Sequence, residues 1–392
     1  NLIKDCHETP QSKKTLSKTA FQMFRSLVER NIIRFEWMAE YRHKKLLIDS
    51  NLQTDFSLNQ SLALYLLDTL KLIDPFAPDF ALDLLTLVES ILENPELILR
   101  KQLDRLKSIR MGEMKAEGIE YEERIAELEK MEYHKPNREF IYETFNKFAA
   151  IHPWVGNENI RPKSIAREMY ETFQSFDEYI RDYEQQRAEG LLLRYLMEVY
   201  KVLVQTVPES YRNEEVEAMI DYFGQMIRNI DSSLLDEWEK LRNPGIIVAN
   251  KDAEAAPEAP DVTRNMRAFT VMIRNDVFRF VRALAAGDYE KALTLVDPAS
   301  SMTETPWTLA LLKTTMDPFY EDRPDILTDR QARHPQYCRI HPSAQEDGWQ
   351  VEQALLDPAE HNDWHVVFFI SKARSREEGR PVIELLKIGG MD

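Results

Sequence analysis

The segment from Arg187 to Thr206, RAEGLLLRYLMEVYKVLVQT, holds the residues best spaced for chemistry. Leu192, Leu193, Leu196, Val199, Tyr200, Leu203 and Val204 make a helix here apolar over most of its circumference, the mark of a largely buried element. Arg194, Glu198, Lys201 and Gln205 recur at i, i+4, i+7 and i+11, a single narrow polar stripe on that helix. Such a stripe either faces solvent or lines an internal channel, and composition alone favours the solvated face. In a channel its chemistry would be recognition of a nucleic-acid strand. An Arg pairs with phosphate or stacks under a base, and the polar groups beside it tolerate any sequence.

A second constellation, His334, Cys338 and His341 with His361 and His365 beyond, has the donor types of a zinc site. Its spacing matches no standard finger, and the expectation is that no metal is held. Other chemistry is excluded by what is missing. No Gly precedes a Lys, so there is no phosphate-cradling P-loop, and Gly-x-Gly-x-x-Gly, Gly-x-Ser-x-Gly and His-Glu-x-x-His are absent. Glu40-x-x-His43 occurs once, where a di-iron bundle needs that spacing on two helices. Acidic pairs suited to acid–base work are everywhere and discriminate nothing. No catalytic set is expected.

The elements that must position these residues are mostly helical. The chain has 392 residues, 43% hydrophobic and 30% charged, with only 11 Gly and 19 Pro, enough for two or three domains. A net charge of −17 weighs against a simple nucleic-acid-coating protein but leaves room for a local basic channel. No apolar run reaches the roughly 18 residues of a membrane span. Two cysteines, Cys6 and Cys338, suggest no disulfide framework, so a cytoplasmic location is expected. The chain starts with Asn and carries no signal-peptide pattern, as expected of a piece of a longer product.

Residues 1–72 read as a small helical domain with one hairpin: Phe21, Phe24, Leu27 and Val28 at helical spacing, then extended Ile32 to Phe35, then a helix from Ser57. Residues 73–242 read as a helical bundle. Ala81, Leu84, Leu85, Val88, Ile91 and Leu92 trace a core stripe, and Asn94-Pro95-Glu96 reads as a helix start with Asn94 as cap and Pro95 as the first helical residue. The helix after it is locally basic, with Arg100, Lys101, Arg105, Lys107, Arg110 and Lys115. Asn243-Pro244-Gly245 ends the bundle, and 243–265 reads as a linker rich in Ala, Pro and acid. Residues 266–392 read as helices over Met266–Ala286, Tyr289–Val296 and Trp307–Tyr320, followed by strands at Gln336–Ile340, Trp349–Leu355, His365–Ile370 and Pro381–Leu386. The fold class is therefore mainly α, closing on a small α+β domain with a four-stranded antiparallel meander.

Several stretches resemble the C-terminal region, of unknown function, of bacterial DEAD/DEAH-box helicases of the exosome-helicase-like branch of superfamily 2. They are ENPELILRKQLDRLK, NREFIYETFN, HPWV with IRPKSIAREM, EGLLLRYL with VLVQTVP, DSSLLDEWEKLRNP, and AFTVMIRNDVFR with DPAEHNDWHV near the end. The resemblance implies a winged-helix-like segment over 1–72, then a bundle with a ratchet-like helix at 187–206 that touches the single strand threading a motor. The family pattern there is an acid and Gly, three apolar positions, Arg, and often a second Arg four residues on. Glu189-Gly190 and Arg194 match it, while Glu198 stands where the second Arg is expected. The resemblance also implies motor domains upstream in the same polypeptide, and these would bind ATP and Mg; this chain would need no cofactor of its own.

On that basis the expected function is a non-catalytic accessory region of an ATP-dependent RNA (or DNA) helicase. Arg194 would be the main contact to single-stranded RNA or DNA, Lys201 and Gln205 would extend the path, and Arg161, Lys163 and Arg167 would hold phosphate nearby. The alternative is a helical protein-interaction scaffold with an α+β docking domain.

Overall fold

The computed structural model describes residues 2–30, 32–38, 43–48, 57–58, 60, 62–156, 158–230, 235, 238, 262–263, 266–297, 306–329, 331–333, 335–343 and 347–390. The chain divides into two compact units, one of 1–168 with 177–220 and one of 169–176 with 221–392. Of the expected linker, only Val262 and Thr263 fall within the described residues, and the stop at Asn243-Pro244-Gly245 lies outside them. The architecture is mainly α with a four-stranded antiparallel sheet near the C-terminal end, as the patterning implies.

The first unit opens with α1 (Leu2–Asp5) and α2 (Pro10–Glu29). Thr9 caps α2 by accepting the Ser12 N–H at 3.2 Å, and Pro10 fills the first turn, where its missing N–H costs nothing. The apolar spacing of α2 does not make a core. Ser26 is its one buried residue, and Phe21 is 67% exposed. The helix is anchored near its C-terminal end, where Trp154 Nε1 donates to Ser26 Oγ at 3.2 Å and Arg30 pairs with Asp68 through Nε at 2.9 Å. An antiparallel hairpin follows, β1 (Ile33–Met38) on β2 (His43–Ile48), with Phe35 opposite Leu46.

The core of this unit is built round α4 (Phe80–Ile91), buried at every position but Asp83. It packs against α3 (Ala63–Leu70) and α10 (Glu189–Gln205). Tyr65 of α3 donates to the Ile141 carbonyl of α7 (Arg138–Ile151) at 3.1 Å. Between these lie α5 (Glu96–Ala116) and α6 (Tyr121–Lys130). Helix α5 begins at Glu96, one residue later than its start signal implies, with Pro95 in the capping position and no side-chain cap. Asn137 precedes α7 in a left-handed conformation, φ 52°, and spends its amide on Asp83 Oδ1 at 2.6 Å instead of capping the helix. The remaining helices, α8 (Ala166–Thr172), α9 (Phe176–Asp182) and α11 (Glu214–Ile230), each hold residues of both units.

In the second unit α12 (Met266–Ala285), α13 (Tyr289–Thr294) and α14 (Leu309–Asp322) precede the sheet β3 (Cys338–Pro342), β4 (Gly348–Leu355), β5 (Trp364–Ser371) and β6 (Ile383–Gly390), in that spatial order. Each strand pairs with its neighbour in sequence, so the sheet is a meander, with α15 (Lys372–Glu378) inserted before β6. Phe269, Phe280, Phe319, Trp349 and Phe368 fill one core between helices and sheet. The β6 rim is covered by other backbone and side chain: Asp297 N–H donates to the Ile383 carbonyl at 2.7 Å, and Trp307 Nε1 to Leu385 at 2.8 Å.

Candidate nucleic-acid interface

Helix α10 has the division its sequence implies. Leu192, Tyr195, Leu196, Met197, Val199, Val202, Leu203 and Val204 are buried; the polar stripe is among the more accessible positions, and Leu191, Leu193 and Tyr200 beside it are half-buried. Arg194 is exposed on that stripe, and Glu198, Lys201 and Gln205 are half-buried. Among the described residues nothing hydrogen-bonds or ion-pairs with Arg194. Gly190, one turn earlier on the same stripe, has open space where a Cβ would project, so packing does not require glycine there. The N-terminal half of the stripe is therefore a bare backbone turn beside a free guanidinium.

The C-terminal half is engaged. Glu198 accepts from Lys201 Nζ at 3.0 Å and from Gln60 Nε2 at 3.1 Å. The Gln205 carbonyl accepts the Ser57 N–H at 3.1 Å, and Thr206 Oγ1 returns a bond to the Ser57 carbonyl at 2.9 Å. Ser57 and Gln60 thus lie against this end of the stripe. Glu198, which stands where a second Arg was expected, is neutralised by Lys201, so neither adds a free charge beside Arg194.

Of the other expected phosphate contacts, Lys163 and Arg167 are turned into the protein. Lys163 is fully buried, and its Nζ donates to the carbonyls of Glu89 at 2.6 Å, Leu92 at 2.8 Å and Arg161 at 3.0 Å. Burial pushes its ammonium down to about 7, against the pull of neighbouring Glu89. It closes the carbonyl end of α4 and cannot reach a strand. Arg167 is turned inward too, donating through Nη1 to Thr86 Oγ1 at 2.7 Å and lying 3.5 Å from Asp83. Arg161 is half-buried, with its backbone N–H on the Ser90 carbonyl at 2.9 Å.

The residue that organises this region is Glu89, which spacing alone does not single out. Its buried Oε1 accepts the N–H groups of Ile165 and Ala166 at 2.8 Å, and Oε2 accepts that of Arg167 at 3.0 Å. A carboxylate thus caps the first turn of α8, where the helix leaves its N–H groups without partners. Burial raises the Glu89 pKa, and these N–H donors with Tyr195 oppose the shift. Gln102 of α5 extends the network to the Ser164 carbonyl at 2.9 Å and Glu168 at 2.7 Å, and Tyr183 donates to Glu168. The available signal was an acid, Glu89, in a mostly apolar stretch, together with a Lys directly after a Pro.

Basic helix α5 is partly spent on internal pairing. Arg105 donates to the Asp182 carbonyl at 3.1 Å and stacks on Tyr183, and Arg110 pairs with Glu113 at 3.2 Å and Glu127 at 2.9 Å. Arg100 and Lys101 remain exposed.

A family model described as a domain of unknown function, DUF3516, matches residues 1–388. The chain belongs to the DUF3516 family. No curated protein and no solved structure matches this DUF3516 chain.

Among the described residues the histidine and cysteine donors of the DUF3516 chain do not converge. Cys338 is buried on β3, where desolvation lifts its thiol to about 11. His341 lies three positions on, so strand alternation sends it to the opposite face. His361 Nδ1 is 3.4 Å from Asp357, and His334 lies outside the described residues. Among the described residues no three His, Cys, Asp or Glu side chains are grouped as a metal would require. No helix among them is long and apolar enough to cross a membrane.

Proposed function

We propose that this DUF3516 chain is the non-catalytic accessory region of a cytoplasmic ATP-dependent RNA (or DNA) helicase, and that it guides single-stranded nucleic acid along α10. The observation that carries this reading is Arg194: an exposed guanidinium with no hydrogen-bond or ion-pair partner among the described residues, on a helix whose other side is buried, one turn beyond a glycine whose side-chain space is empty. A guanidinium so placed can pair with phosphate or stack on a base, and the bare turn at Gly190 lets a backbone approach closely. Motor domains in the same polypeptide would supply ATP and Mg chemistry. Arg194 is the strand contact of this reading. Lys201 and Gln205 define where the path leaves α10, and Lys163 and Arg167 set the shape of the neighbouring helices.

The test is strand affinity of the full chain and of its Arg194→Ala variant, read by fluorescence anisotropy with a labelled 20-nucleotide single strand at several salt concentrations. The expected result is weaker binding and a shallower salt dependence in the variant, with unchanged thermal melting. In the intact helicase, unwinding should slow. Equal affinity and equal unwinding would sink the reading. Binding to protein partners that ignores salt would favour the alternative, a helical interaction scaffold.

A further inference from the structure

Helix α2 bears a stripe with the same spacing as that of α10. Lys14, Lys18, Phe21 and Arg25 fall at i, i+4, i+7 and i+11, and all four are exposed. They span about 16 Å of one helix face. The anchoring residues, Ser26 and Arg30, lie on the other side of the helix, so the stripe points away from the body of its own unit.

Its charge is unlike that of the chain. From Thr9 to Val28 there are four Lys or Arg and no Asp or Glu, within a protein of net charge −17. Lys14 and Lys18 stand one turn apart as like charges, an arrangement that destabilises an isolated helix. Among the described residues neither has an ion-pair partner. Among the described residues Arg25 pairs with Glu29 alone, an exposed i, i+4 pair at 2.8 Å that an incoming anion can replace at little cost. Phe21 stands 67% exposed between Lys18 and Arg25. Cations at one-turn intervals with an aromatic ring among them are what a flexible polyanion carrying flat bases requires.

We infer that α2 carries a second single-strand contact, in which Lys14, Lys18 and Arg25 neutralise phosphates and Phe21 stacks on a base. The inference rests on the strand-guiding reading of α10, and its test is separable from the test of that reading. In the full chain, Lys14→Gln, Lys18→Gln and Arg25→Gln are combined in one variant, and Phe21→Ala is made alone. Both are assayed with the 20-nucleotide strand beside Arg194→Ala, and melting curves confirm that these exposed substitutions leave the fold intact. Losing three phosphate contacts should lower the slope of log affinity against log salt by about 2. Phe21→Ala should weaken binding by about fivefold to a hundredfold while leaving the slope unchanged. An unchanged slope in the triple variant, or unchanged affinity in Phe21→Ala, overturns the inference. If Arg194→Ala still weakens binding in that case, the α10 reading stands alone. Poly-glutamate that binds as tightly as the strand would also overturn it and mark the stripe as a surface for acidic protein.

Discussion

Tyr195 donates its hydroxyl to Oε1 of Glu89 at 2.8 Å, and its neighbour in sequence is Arg194. Successive residues on a helix point about 100° apart, so one turn of α10 buries an anchored Tyr and presents a free Arg. The orientation of Arg194 is therefore set by a bond on the far side of its own helix. The same carboxylate caps α8, so α4, α8 and α10 share one buried acceptor.

Replacing Glu89 by Gln should destabilise the first unit by about 2–3 kcal/mol. The amide group puts a donor against N–H groups that now meet an acceptor, which leaves at least one of them buried and unpaired. Chemical denaturation monitored by helical circular dichroism measures the change. Tyr195→Phe, which removes a single bond, should cost about 1 kcal/mol in the same assay.

Lys163→Met should cost about 3 kcal/mol although it trades a buried charge for an apolar chain. Three carbonyls, those of Glu89, Leu92 and Arg161, lose a donor together, and Glu89 loses the nearby positive charge. A surface phosphate-binding Lys would instead change stability little. The urea midpoint of the variant separates the two.

Acid should destabilise the contact between α2 and α7. His152 Nε2 lies 2.9 Å from Arg30 Nη2, which makes it the acceptor and holds the ring neutral. Burial, with the Arg30 charge second, lowers its pKa below the ordinary 6.5. The unfolded chain then binds more protons than the folded one at pH values just below 6.5, so stability is full above that value and falls as pH drops through it. Melting temperature between pH 7.5 and 5.5 should fall more steeply in the wild-type protein than in His152→Phe.

Two glycines should respond with opposite signs to alanine. Gly190 has open space and a helical backbone, so Gly190→Ala should raise stability by a few tenths to about 1 kcal/mol. At Gly348 a Cβ would lie 2.4 Å from the Ile370 carbonyl oxygen and 2.6 Å from the Phe369 ring. Gly348→Ala must push strand β5 aside and should cost about 1–3 kcal/mol or more. Thermal melting of both variants checks the pair. If Gly190→Ala also weakens strand binding, the empty turn is occupied in the complex.

Much of this fold was legible because periodicity survives folding. Three of the C-terminal strands lie within about two residues of where alternation put them, and the fourth starts two residues late and runs four residues further, to Gly390. What was hidden has a common cause. Phe21 and Phe24 fall at helical spacing, but spacing reports a face and says nothing of whether anything covers it. Lys163 and Arg167 read as phosphate ligands because a sequence shows charge without burial. Glu89 was invisible for the complementary reason: its partners, at 165–167 and 195, are far away along the chain. Arg194 was legible because its apolar neighbours fix the helix, and the helix fixes the stripe.

The rim of the second unit bears on how this protein behaves in a crowded solution. An eight-residue strand at the margin of a sheet is a template on which other chains can zip up, the first step toward fibrils and swapped dimers. Along β6 the Asp297 amide and the Trp307 indole already occupy two of the carbonyls that a newcomer would need. The opposite margin, β3, is five residues long and closes on Pro342, which has no N–H to give. Both sides of the meander are thus blunted against self-recruitment, and the unit can stay dispersed at high concentration.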